Sequence, residues 1–164
     1  MTEITRICFV CLGNIVRSPL AEGLFRKLVE EAGANHKYQI ESAGTSDWHI
    51  GEPPDKRMER VAASHGLNYS NLARQYQPED FERFDLIVAM DNTNRQDLME
   101  MLPGEKSSKK IYLLREFDPF SEPNESVPDP YYGDMESFEQ VYQIVERSCK
   151  GLFHALEDGY RIDS

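Results

Sequence analysis

Cys11 and Arg17 stand six positions apart in the stretch VCLGNIVRSP, with Gly13 and Asn14 between them and Ser18-Pro19 directly after. An ionised thiol is a strong nucleophile, and a guanidinium is a flat fork of donors matched to two phosphate oxygens. Held together, the pair is equipped to bind a phosphate and attack its phosphorus. Binding also needs converging backbone N–H groups. A tight turn that opens a helix supplies them, and the positive end of the helix dipole adds to their field. Gly13 and Asn14 are the residue types that most readily take the left-handed angles such a turn demands. The expected phosphate-binding loop is therefore Leu12, Gly13, Asn14, Ile15, Val16 and Ser18, with Cys11 at its floor as the candidate nucleophile.

Expelling a tyrosine oxygen takes a proton, because phenol is a weak acid with a pKa near ~10. A second segment must supply it. The late stretch VPDPYYGD offers Asp129 between Pro128 and Pro130, which restrict the backbone on both sides. Tyr131 and Tyr132 follow as flat walls for an aromatic ring. Asp129 would protonate the leaving oxygen and then, as a carboxylate, activate the hydrolytic water. Activity is expected to be greatest at mildly acidic pH, where the acid keeps its proton while the thiol has lost its own.

The elements that must position these groups follow from periodicity. Thr5 to Val10 is an apolar run suited to a strand buried on both faces. Leu20, Leu24 and Leu28, with Phe25 and Val29 beside them, predict a helix capped by Ser18, begun by Pro19 and stopped by Gly33. Tyr38 to Ala43 predicts a second strand, DWHIGEPPD a loop, and Pro54 to His65 a helix closed by Gly66. A helical turn at Pro78 to Phe84 precedes a strand at Leu86 to Met90, a capped helix from Asp91 to Leu102 and a fourth strand at Lys110 to Leu114. Glu116 to Asp134 has no apolar period, and a long loop in a compact domain is more often functional than idle. Phe138, Val141, Tyr142, Val145, Cys149, Leu152, Phe153 and Leu156 mark one face of a last helix. Strands alternating with helices predict an α/β fold with a mostly parallel sheet, residues 1–164 forming one domain. Ligands of such folds sit outside the carboxyl ends of the strands, where Cys11 to Ser18 would lie.

Composition narrows the partners. The chain has 164 residues, 40% of them hydrophobic and 29% charged, with a formal net charge of −11. That charge argues against nucleic acid or an anionic membrane surface as partner, since both would be repelled. An anionic substrate would be slowed too, so its site needs a local positive field, which Arg17 supplies. No stretch reaches the length of a transmembrane helix, and the first ten residues do not read as a signal peptide. Three cysteines are too few for a disulfide framework, and the expected location is the cytoplasm, with reduced thiols.

VCLGNIVRSP together with DPYYG resembles the low-molecular-weight protein tyrosine phosphatase family, and the likeness extends through SAGTSDWHIGEPPD, HGLNYSNLARQ and FDLIVAMDNTN. The resemblance implies a central four-stranded parallel twisted sheet flanked by helices on both faces. It also implies phosphotyrosine hydrolysis through a cysteinyl-phosphate intermediate, with no metal or other cofactor. The implied partners are tyrosine-phosphorylated proteins, with inorganic phosphate as product and the enzyme a monomer or weak dimer. Cys11 matches the nucleophile, Arg17 the phosphate-binding arginine and Asp129 the proton donor. Asn14, Ser18 and Ser42 match loop-supporting residues, and Trp48, Tyr131 and Tyr132 match the rim of the substrate pocket, beside Ile15 of the loop. Two positions depart from the pattern. Val16 stands where many members carry a second cysteine, and Asn71 where some animal members have a histidine supporting the loop asparagine.

Other residues fit blander roles. Cys8 and Cys11 form a C-x-x-C, but a redox pair usually opens a helix, whereas Cys8 falls in mid-strand. Cys149 is expected in the core, His65 at a helix end, and Glu79, Asp80 and Glu82 on a solvated face. His36, His49 and His154 show no metal-ligand spacing. Three alternatives accompany the main reading: arsenate reduction, which needs further cysteines; phosphoarginine hydrolysis; and a phosphotyrosine-binding module without catalysis.

Overall fold

Four strands, all parallel, lie in the order β2-β1-β3-β4 in the computed structural model, which describes residues 3–102 and 111–159. They are β1 (Thr5–Cys11), β2 (Tyr38–Gly44), β3 (Leu86–Ala89) and β4 (Ile111–Leu113). Lys110, included in the predicted fourth strand, lies outside the described residues. Among the described residues five α-helices accompany them: α1 (Arg17–Glu31), α2 (Lys56–Ser64), α3 (Asp80–Arg83), α4 (Asn92–Met101) and α5 (Met135–Glu157). The chain leaves β1 through α1 to reach β2 on one side, then returns through α2 and α3 to β3 on the other. The connections diverge at the carboxyl end of β1, and that divergence opens the crevice in which such sheets bind ligands.

The unbroken apolar run in β1 has a direct cause. Ile7, Phe9 and Cys11 point into a core shared with α1, α2 and α5, while Cys8 and Val10 point into a second core with Phe81, Phe84 and Leu98. A strand covered on both faces has no polar alternation to show. Phe25 of α1 anchors the larger core, its ring centroid 5.8 Å from that of Phe9 and 5.9 Å from that of Phe153.

Three local readings change. Helix α1 begins at Arg17, with Val16 at its cap position and no side-chain capping bond, because the Ser18 hydroxyl is drawn towards Cys11 instead. Helix α2 starts two residues later than expected, since Asp55 accepts from the Arg57 N–H and caps it there. Asp80 is buried rather than solvated, ion-paired with Arg74 and Arg83 at 3.0 and 2.7 Å. Gly33, at φ 67°, ends α1 as its type suggested.

The long segment before Asp129 is fastened to α5 by a buried carboxylate. Asp118, its side chain fully shielded, lies 2.7 Å from Arg147 and 3.2 Å from Arg115, and Arg115 reaches on to Glu125 at 3.0 Å and the Ser126 carbonyl at 3.3 Å. Burial alone would raise the Asp118 carboxyl, but hydrogen bonds from Arg147 and the Phe120 N–H outweigh it and hold it below its ordinary value. A carboxyl lowered in the folded state contributes stability that is present above the unfolded pKa, about 4, and is lost as pH falls through the lower folded value. Asp118→Asn should therefore lower unfolding stability by about 3 kcal/mol near pH 7, by taking the carboxylate from Arg147 and one of two carboxylates from Arg115, and flatten the acid limb of the stability curve. Urea denaturation across pH measures both.

Candidate active site

Beyond Cys11, the last residue of β1, the backbone must turn before α1 can start. Asn14 makes that turn with φ 56°, a left-handed angle that a short polar side chain tolerates. Its backbone N–H points at the Cys11 sulfur, 3.3 Å away. Its side-chain amide donates to Ser18 Oγ at 2.8 Å and Ser42 Oγ at 3.0 Å, and accepts from the Arg74 backbone N–H at 3.1 Å. Ser42 in turn donates to Glu22 at 2.5 Å. None of these bonds involves Asn71, so Ser18, Ser42 and the Arg74 backbone hold the loop asparagine without it.

Ser18 Oγ lies 2.9 Å from Cys11 Sγ. Ser18 accepts from Asn14, and its own proton has two acceptors in reach, the sulfur and the Ala43 carbonyl at 3.4 Å; turned to sulfur, it joins the Asn14 N–H as a second donor on Sγ. Such a setting suits an anionic acceptor. The Arg17 side chain is almost completely buried, with Nη1 donating to Asp91 at 2.7 Å and to the Val127 carbonyl at 2.9 Å. Its Nη2 faces Asp129 at 3.5 Å. Burial would lower the Arg17 pKa, but electrostatic attraction to the Cys11 side chain, the hydrogen bond to Asp91 and the charges of Asp91 and Asp129 outweigh it and hold the guanidinium above its ordinary value.

These groups open into one cavity of about 330 Å³. Cys11, Leu12, Gly13, Val16 and Arg17 line it together with Asp129, and Ile15, Trp48, Tyr131 and Tyr132 supply its apolar surface. Trp48 and Tyr132 are 68% and 96% exposed, which makes them a rim rather than part of the core. Asn14, Ser18 and Ser42 are buried behind the loop. The Asp129 carboxylate is 42% exposed and accepts from the Tyr131 N–H at 3.1 Å. The arrangement is an oxyanion-sized cup with a thiol beneath it, a guanidinium beside it and a carboxyl group above.

The C-x-x-C reading does not survive the geometry. Cys8 and Cys11 point to opposite faces of β1, into separate cores, and Cys8 is fully buried, which pushes its thiol pKa up. Cys149 is fully buried as well.

Known proteins resemble this chain in sequence and in fold. The family model described as low molecular weight phosphotyrosine protein phosphatase matches residues 6–161. The chain belongs to that family. A low molecular weight protein-tyrosine-phosphatase of Streptomyces coelicolor is 45% identical, covering 93% of this chain and 94% of its own. The low molecular weight phosphotyrosine protein phosphatase of Gallus gallus is 44% identical over 92% of this chain and 94% of its own. Among solved structures, the protein tyrosine phosphatase from Entamoeba histolytica superimposes with a TM-score of 0.90 at 38% identity, over 96% of this chain and 99% of that one.

Several residues at the site of this family member escaped the sequence reading. Asp91 reads as a helix cap, and it is one, accepting from the Asn94 N–H at 2.7 Å; its other oxygen holds Arg17. His49 reads as a loop residue without metal spacing, yet it lines the cavity and lies so close to Gly13 that a Cβ there would come within 2.8 Å of its ring. Gly44 ends β2 against the back of the loop, where a Cβ would meet the Leu12 carbonyl oxygen at 2.7 Å and the Asn14 nitrogen at 3.2 Å. Both contacts are with backbone, which cannot swing aside. Gly44→Ala should displace the loop and lower kcat/KM for an aryl phosphate about 100-fold, with weaker inhibition by inorganic phosphate. Steady-state kinetics with phosphate as competitor checks it.

Proposed function

We propose that this protein hydrolyses phosphotyrosine on proteins, and small aryl phosphates, through a covalent phosphate on Cys11. The observation that carries the reading is the convergence of Cys11, Arg17 and Asp129 on one aromatic-walled cavity. Phosphate oxygens would take the backbone N–H groups of Leu12 to Ser18 and the fork of Arg17. The Cys11 thiolate attacks phosphorus from below, the bond from phosphorus to the aryl oxygen breaks, and Asp129 delivers its proton to the departing oxygen. Water then attacks the cysteinyl phosphate while the Asp129 carboxylate takes its proton. The bond from sulfur to phosphorus breaks, restoring the thiolate and releasing inorganic phosphate.

The walls support the substrate class. Ile15, Trp48, Tyr131 and Tyr132 suit a flat ring better than the flexible stem of phosphoarginine. Arsenate reduction would need a second thiol to resolve an adduct on Cys11, and both other cysteines are buried away from it. Chemistry that runs on a free thiolate also favours a reducing compartment, the cytoplasm.

Cys11→Ser should abolish turnover of phosphotyrosine peptides, by about 10⁴-fold or more, and no phosphoenzyme should be trapped on it. Asp129→Asn should slow phenyl phosphate about 100-fold while sparing dinitrophenyl phosphate, whose leaving group needs no proton, and should remove the alkaline limb of the kcat profile. Full activity of Cys11→Ser would refute the reading, as would faster turnover of phosphoarginine than of phosphotyrosine.

A further inference from the structure

The acid loop, Pro128 to Gly133, brings an exposed Asp129 to the cavity between exposed Pro128 and buried Pro130, and an acid can protonate a leaving oxygen only if it is held within hydrogen-bond reach. Its upstream end is tied down, since the Val127 N–H donates to the Met90 carbonyl at 2.7 Å and the Val127 carbonyl accepts from Arg17. Its downstream end meets a residue that belongs to neither the phosphate-binding loop nor the acid loop. Arg57, in the first turn of α2, donates through Nη1 to the Tyr131 carbonyl at 2.9 Å. Its guanidinium carbon sits 5.2 Å from the centroid of the Tyr131 ring and 4.5 Å from that of Phe138 at the start of α5.

The other edge of the same guanidinium is gripped by Asp55, with Nε at 3.1 Å from Oδ1 and Nη2 at 2.8 Å from Oδ2. The Asp55 side chain is only 10% exposed, and the residue's own N–H donates to the Ile15 carbonyl at 2.8 Å. A continuous series of hydrogen bonds therefore runs from Ile15 in the phosphate-binding loop, through Asp55 and Arg57, to Tyr131, whose N–H binds Asp129. The phosphate-binding loop and the acid loop are thus fixed to one strut.

We propose that Arg57 is a positioning residue for catalysis: clamped by Asp55, it sets the height of Asp129 and of the Tyr131 wall above the Cys11 sulfur. The inference rests on the reading of Asp129 as the proton donor. Arg57 itself does not line the cavity, so it acts through the acid loop rather than on the substrate. Two features make arginine necessary. A single planar fork spans a carboxylate on one edge and a carbonyl on the other, and its face packs on two aromatic rings, neither of which an ammonium group reproduces.

The test compares Arg57→Met, which keeps most of the side-chain packing, with Arg57→Lys and Asp55→Asn, the last retaining a good cap for α2. In Arg57→Met, kcat for phenyl phosphate should fall about tenfold while kcat for dinitrophenyl phosphate falls less than about threefold, the signature of a misplaced acid. Inhibition by inorganic phosphate should stay within about twofold, since the cup itself is not touched. Arg57→Lys should recover little of the loss, and Asp55→Asn should show the same leaving-group bias in weaker form. The double variant Arg57→Met/Asp129→Asn should be no slower on phenyl phosphate than Asp129→Asn alone. Equal slowing of both esters, or losses that multiply in the double variant, would overturn the role of Arg57 while leaving that of Asp129 intact. Should Asp129→Asn itself fail to distinguish the two esters, the proton-donor reading falls and the strut falls with it. If Arg57→Met does not fold, Arg57→Lys and Asp55→Asn carry the same comparison.

Discussion

With its backbone turned left-handed, Asn14 aims its N–H at the Cys11 sulfur and sends its side-chain amide into Ser18, Ser42 and the Arg74 backbone, and the shape of the loop depends on that turn. Each of those partners comes from a different part of the chain: the start of α1, strand β2 and the segment before α3. The turn is thus held from three directions at once. A strained residue of this kind persists only where its surroundings over-determine it, and here they do. The Ser42–Glu22 bond ties the same set back into α1.

Charge is handled with the same economy. The chain carries a formal net charge of −11, yet its candidate anion site is built around a buried arginine. Arg17 tolerates burial because Asp91 takes one of its nitrogens and the Val127 carbonyl shares it. Asp91 simultaneously caps α4, so the orientation of the guanidinium is fixed by the way β3 gives onto that helix. The candidate phosphate-binding loop belongs to β1 and α1, but its arginine is aimed by the next strand over.

Much of this was legible in the residues. The buried strand, the Gly-Asn turn, the periodic helix and the isolated Asp-Pro each carry a local signature, and the α/β order of elements follows from their alternation. What escaped was long-range. Nothing near Asp91 in sequence says that its second oxygen will meet Arg17, 74 positions away. Ser18 reads as a helix cap because Ser-Pro usually marks one, but a competing sulfur 2.9 Å away takes the hydroxyl. Asp80 reads as surface because its neighbours are charged, while Arg74 and Arg83 satisfy it in a buried setting. Gly44 is silent in sequence because its constraint is the absence of a side chain where two backbones approach.

The floor of the cavity and its walls are made of different material. Thr45 and Ser46 donate their N–H groups to the Cys11 and Leu12 carbonyls, so the base of the site is pinned main chain to main chain. Trp48 and Tyr132, by contrast, project into solvent from irregular segments that share little of that network. On the proposed function, selectivity among phosphoproteins can thus drift through side-chain replacement at the lip while the candidate reaction centre underneath stays unaltered. A library confined to the lip should sample new specificities without first having to rescue turnover.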